Sequence, residues 1–103
     1  MANIVLTEAV YYILLSLQEP MHGYGIMQNV EKWSQGRVKL AAGTLYGAIN
    51  TLLDKGWIQA LEGGDARKKE YRIAPEGMQV LRAEYRRLCE LVENGKCIGR
   101  EEE

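Results

Sequence analysis

Apolar and polar positions divide the chain into four helical segments and one pair of short strands. Leu6, Val10, Ile13, Leu14 and Leu17 recur on one side of a first helix over about 7–17. It opens at Thr7-Glu8, a capping hydroxyl followed by an acid in the first turn. Tyr11, Tyr12 and Leu15 widen the apolar arc beyond a single stripe, so part of this surface is expected to meet something other than the chain's own core. Glu19-Pro20 ends the segment. Met21-His22-Gly23-Tyr24-Gly25 leads into a second helix running to about Gln35, with Ile26, Met27, Val30 and Trp33 inward and Gly36 closing it.

Leu45, Ile49, Leu52 and Leu53 fall at offsets of 4, 7 and 8 and form the buried stripe of a third, short helix that ends at Gly56. Its opposite face carries Thr44, Gly47, Ala48, Asn50 and Thr51, side chains small enough to let the backbone lie close to another surface. The amide groups at its start would meet a negative surface favourably. Two extended stretches follow, Trp57 to Leu61 and Lys69 to Ala74, joined by Glu62-Gly63-Gly64-Asp65-Ala66-Arg67-Lys68. This order describes a mainly α chain with a small β-hairpin, a winged helix-turn-helix whose third helix enters the major groove while the cationic hairpin tip, Arg67, Lys68 and Lys69, reaches the flanking backbone. Lys39, in the connection before the third helix, joins the same face. Asn50 is the candidate for reading a base edge, since an amide bonds adenine through two atoms; an idle surface role is the alternative.

The last helix begins at Pro75-Glu76, where proline suits the first turn and the acid suits the positive end of the dipole. Met78, Leu81, Tyr85, Leu88 and Val92 recur along it at spacings of 3, 4, 3 and 4, a short heptad seam suited to pairing with other helices. We read it as a dimer arm; a helix folded back on its own domain is the competing reading. The predicted organisation is therefore a winged helix-turn-helix domain over 1–75, a dimerisation helix over 76–94 and a charged, unstructured tail over 95–103.

Charge supports this division. The chain carries a net charge of −1, but residues 1–35 contribute −2, residues 36–75 contribute +3 and residues 76–103 contribute −2. The surplus sits on the segment assigned to groove and wing, and local potential governs phosphate attraction over a Debye length of about 8 Å. With 103 residues, 47% of them apolar, the chain suits one domain with a modest core. No apolar run approaches the length needed to cross a bilayer, and the start lacks the basic region of a signal peptide, so a cytoplasmic protein without membrane contact is expected. Cys89 and Cys97, with a single histidine in the chain, make neither a disulfide framework nor a metal site, and no cofactor is expected.

His22-Gly23-Tyr24-Gly25, Gly43-Thr44-Leu45-Tyr46, Lys55-Gly56-Trp57-Ile58, Arg67-Lys68-Lys69-Glu70-Tyr71-Arg72-Ile73 and Pro75-Glu76-Gly77, in this order and spacing, resemble the PadR family of transcriptional regulators over about residues 5–94. The resemblance, closest to the short subfamily with one C-terminal helix, implies a homodimeric repressor that binds double-stranded DNA. It implies that Thr44 and Tyr46 touch phosphates at the start of the recognition helix, that Arg67, Lys68 and Lys69 form the wing, and that Tyr71 anchors its return strand. It also implies a dimer interface built from the first and last helices, here Leu6, Val10 and Leu14 with Met78, Leu81, Tyr85, Leu88 and Val92. PadR-like proteins often release DNA on binding a small aromatic or lipophilic effector, and Tyr11, Tyr12 and Tyr85 could line such a site, although core filling accounts for them as well. Gly47 stands where the family commonly has proline.

Two other classes compete with this reading. An enzyme is disfavoured, because His22 has no serine or cysteine nucleophile near it in sequence and no phosphate-cradling glycine loop appears. A winged helix that binds a protein partner instead of DNA is the competitor, and three consecutive bases at 67–69 speak against it.

Overall fold

The computed structural model describes residues 4–62 and 69–100. Helix α1 spans Glu8–Ser16, strand β1 Met21–His22, α2 Gly23–Trp33, α3 Ala42–Asp54, β2 Ile58–Ala60, β3 Glu70–Ile73, α4 Pro75–Asn94 and α5 Lys96–Arg100. The helices form for the reasons their sequences suggest. Thr7 caps α1, its Oγ1 accepting from the Val10 N–H at 3.1 Å. The Nδ1 of His22 does the same for α2, accepting from the Gly25 N–H at 3.1 Å. This capping position accounts for the chain's one histidine.

The ends of α2 and α3 follow one pattern. At the end of α3 the Trp57 N–H bonds the Leu52 carbonyl and the Gly56 N–H bonds the Leu53 carbonyl, both at 3.0 Å, with Gly56 at φ +76°. Such paired closing bonds need a left-handed residue, which glycine supplies without steric cost. The end of α2 has the same bonds, Gly36 to Glu31 and Gln35 to Lys32, but there Gln35 takes the left-handed position at φ 55° and Gly36 follows at φ 81°. The expected stop at Gly36 thus falls one residue earlier, on a side chain that carries strain.

The strands form a three-stranded antiparallel sheet in the order β1-β3-β2. Ile58 pairs with Ile73 and Ala60 with Tyr71, while Met21 pairs with Tyr71 across the other edge of β3. The third strand, β1, has no counterpart in the sequence reading, because two residues carry no periodicity and pair only once β3 is in place. The sheet is tied to the helices by backbone bonds, Ile73 N–H to Leu17 carbonyl at 2.7 Å and Ala74 N–H to Trp57 carbonyl at 2.8 Å.

One continuous core lies between the helices and the sheet, formed by Ile13, Leu14, Leu17, Ile26, Val30, Leu45, Ile49, Leu52, Ile58, Tyr71 and Leu81. Several expectations are corrected by it. Leu14 and Leu81, read as dimer contacts, are 0% and 4% exposed within a single chain and have no surface to offer a partner. Trp33, read as inward, is 38% exposed and rests on Tyr12, their ring centroids 5.7 Å apart. Residues 96–100, read as part of an unstructured tail, form α5, joined to α4 by a Lys96–Glu93 ion pair at 3.1 Å. Helix α4 docks on the domain at Gly77, where a β-carbon would stand 2.0 Å from the Trp57 carbonyl oxygen, so no larger residue fits without moving the backbone.

Candidate nucleic-acid interface

Helix α3 buries Leu45, Ile49 and Leu52 and turns Thr44, Gly47, Asn50 and Thr51 to the surface. Its N-cap, Ala41, supplies no side-chain cap, and residues 41–44 are all exposed. The first amide groups of the helix therefore face solvent with the positive end of the dipole behind them. β-Carbons placed on Gly43 or Gly47 would meet nothing within 4 Å, so this side of the helix is open. Thr44 and Asn50 are exposed on it, whereas the Thr51 hydroxyl donates to the Gly47 carbonyl at 3.2 Å. Lys39 is exposed in the loop before the helix, and Lys69 is exposed immediately before β3. Arg67 and Lys68 lie outside the described residues.

Tyr46 is held by a contact that links two of the sequence motifs. A β-carbon on Gly23 would lie 2.4 Å from its hydroxyl oxygen and 2.9 Å from its ring, so the phenol lies directly over the start of α2. It remains 45% exposed. Tyr71, buried in β3, has its phenol pKa pushed up by burial first and by the neighbouring Tyr46 second. The glycine of the first motif, the tyrosine of the second and the aromatic of the wing strand thus meet at one place beside the open end of α3.

The residues assigned to dimerisation divide. Leu6, Val10 and Met78 are half-buried against the chain's own core, and Leu88 is half-buried. Tyr85 and Val92 stand out at 58% and 71% exposure, joined by Leu91 and Ile98, which the seam did not include. Tyr11 lies beside Tyr85, Cys89 and Glu84, and its phenol pKa is pushed up by burial and then by those neighbours. The Cys89 thiol beside Tyr85 pushes the phenol pKa of Tyr85 up. Tyr12 also reaches Trp33, its hydroxyl donating to the Trp33 carbonyl at 3.4 Å. The Tyr11 ring meets the Tyr12 ring edge-on at 6.1 Å between centroids and neighbours Tyr85 as well, so Tyr11 links the other two.

Sequence reasoning missed Glu84. It is 1% exposed, and its carboxylate accepts from the Leu6 N–H at 2.9 Å and from Arg87 at 2.6 and 2.8 Å. Arg87 holds the carboxyl below the usual range, with the Leu6 amide assisting and burial opposing. The acid and base three residues apart were the available signal.

A helix with an open, uncapped start set beside a three-stranded wing, on a core shared with one long C-terminal helix, defines a winged-helix regulator. The chain belongs to the PadR-like family of transcriptional regulators, whose family model matches residues 12–83. Its members regulate transcription and are not enzymes. Among solved structures it is similar to a transcriptional regulator from Clostridium thermocellum, at 26% identity and TM-score 0.64 over 91% of this chain and 87% of that one. A PadR-family regulator from Eggerthella lenta is 29% identical with TM-score 0.62, over 82% and 78% of the two chains. RosR from H. salinarum is 27% identical with TM-score 0.67, over 86% and 76%. No curated protein matches the chain in sequence. Among the described residues no helix is long and apolar enough to cross a membrane.

Proposed function

We propose that this regulator is a homodimeric, sequence-specific DNA-binding repressor that acts in the cytoplasm and leaves its operator when a small effector binds. The observation that carries the reading is the start of α3: uncapped, exposed and set between Lys39 and Thr44, with Asn50 a turn and a half further along the same open side. Backbone amides, a threonine hydroxyl and the Tyr46 phenol are donors suited to phosphate oxygens, and they position the helix. Asn50 then reads a base edge. Arg67, Lys68 and Lys69 add the electrostatic contacts of the wing. The exposed apolar residues of the C-terminal helices supply the surface for the second subunit, since such side chains gain by leaving water.

The test is an anisotropy titration against the DNA upstream of the protein's own gene at several salt concentrations. Affinity should fall linearly on a log–log plot against salt, and Lys69→Ala should reduce the slope by about one unit for all sequences alike. Asn50→Ala should lower preference for the operator over random DNA more than it lowers affinity for random DNA. Binding that ignores salt would overturn the assignment of the wing.

A further inference from the structure

A cavity of about 340 Å³ opens on the side of α3, between that helix and the segment that precedes α1. Its walls are mostly apolar, formed by Ile4, Val5, Val10, Leu52 and Trp57, with the hydroxyls of Thr7 and Thr51 the neutral polar groups among them. Among the described residues the one ionised side chain in its lining is Lys55, whose ammonium stands over the Trp57 ring at 5.1 Å from the centroid. No acid lines it. One wall is fixed from a distance: the buried Glu84 carboxylate holds the Leu6 N–H at 2.9 Å and so seats the residues leading into α1 against the body of the domain.

We infer that this cavity binds a small lipophilic carboxylate, its apolar portion between Val5, Val10 and Leu52 and its carboxylate at Lys55. The volume lies at the lower end of the range of small-molecule sites, and such sites combine apolar walls with a few polar groups that fix orientation. A monoanion suits the lining and a cation does not. A neutral molecule of the same shape gains the apolar contact alone, without the charge-assisted hydrogen bond. The place matters for regulation, because Ala48, Thr51 and Leu52 of the DNA-facing helix border the cavity. A bound anion cancels one positive charge on the segment with the +3 surplus. This consequence rests on the proposed DNA binding; the binding of the carboxylate does not.

The experiment uses the full chain carrying Trp33→Phe, so that Trp57 fluorescence alone reports, with sodium octanoate as the probe and octanol and octylamine as controls. Octanoate should give a saturable change that octylamine does not give. Lys55→Met should weaken octanoate binding about tenfold, the value of one charge-assisted contact, and leave octanol unchanged, while Lys55→Arg should keep most of the affinity. Circular dichroism checks that each variant is folded. Absence of saturable octanoate binding, equal response to the three probes, or an unchanged affinity in Lys55→Met would overturn the inference, including the case in which a second copy of the chain fills the cavity. Anisotropy with operator DNA, run separately, should show weaker binding at saturating octanoate. Unchanged DNA affinity there would remove the regulatory consequence, and absence of DNA binding without octanoate would count against the proposed function alone.

Discussion

Tyr46 lies so close over Gly23 that a single methyl group at residue 23 would stand 2.4 Å from the phenol oxygen. The contact joins the start of α2 to the exposed side of α3 and sets where the phenol points. Gly23→Ala should therefore displace Tyr46 while costing little stability, since a side-chain end can swing away from the new methyl and alanine favours the helix. The expected outcome is a melting temperature near that of the parent and a DNA affinity lowered to that of Tyr46→Phe. Thermal denaturation and anisotropy on the same samples separate the two effects.

Gly77 presents the opposite case. Its neighbour is the Trp57 carbonyl, backbone that cannot rotate away, at 2.0 Å from an added β-carbon. Gly77→Ala should cost about 3 kcal/mol in urea denaturation, at the high end for overpacking, because α4 must move off β2 as a unit.

Glu84 predicts a pH dependence. Its folded pKa lies below the ordinary value, chiefly through Arg87, so the stability it contributes is complete above the unfolded pKa of about 4.3 and is lost as pH falls through the lower, folded value. Glu84→Gln should destabilise the protein by about 1–3 kcal/mol at neutral pH, because the Leu6 amide and Arg87 lose a charged acceptor. The difference between parent and variant should shrink below about pH 4, as seen in thermal melts across that range.

Gln35 holds a left-handed conformation at φ 55° that costs a non-glycine residue about 1 kcal/mol. It is exposed, so its side chain offers little in return. Gln35→Gly should stabilise the protein by up to about that amount in urea denaturation.

Assembly is tested at the exposed apolar positions of α4. Leu81→Asp would place a charge in the core and unfold the chain, which says nothing about dimers. Leu91→Asp with Val92→Asp alters side chains that are 52% and 71% exposed, and should yield folded monomers with DNA binding largely lost. Light scattering and circular dichroism on one preparation decide this; a folded dimer would move the interface away from the end of α4.

The sequence by itself determined the order of the helices and of strands β2 and β3, the cap at Thr7, the proline opening α4 at Pro75, the stop at Gly56 and the buried stripe Leu45, Ile49 and Leu52 of α3. These are local matters: a hydroxyl three residues from an amide, a glycine at a left-handed position and a period of 3.6 act within one turn of chain. The open face of α3 was legible for the same reason, being the complement of its stripe. Only the tertiary structure decided what each apolar face meets. Periodicity says that Leu14 and Leu81 turn one way and is silent on whether the same chain or another lies there, so both were placed at an interface and belong to the core. It is equally silent on the two-residue β1, on Trp33 resting against Tyr12, and on Glu84, whose partner Leu6 is 78 residues away. Burial and hydrogen bonding between distant segments depend on how the elements dock, and docking is a property of the whole chain.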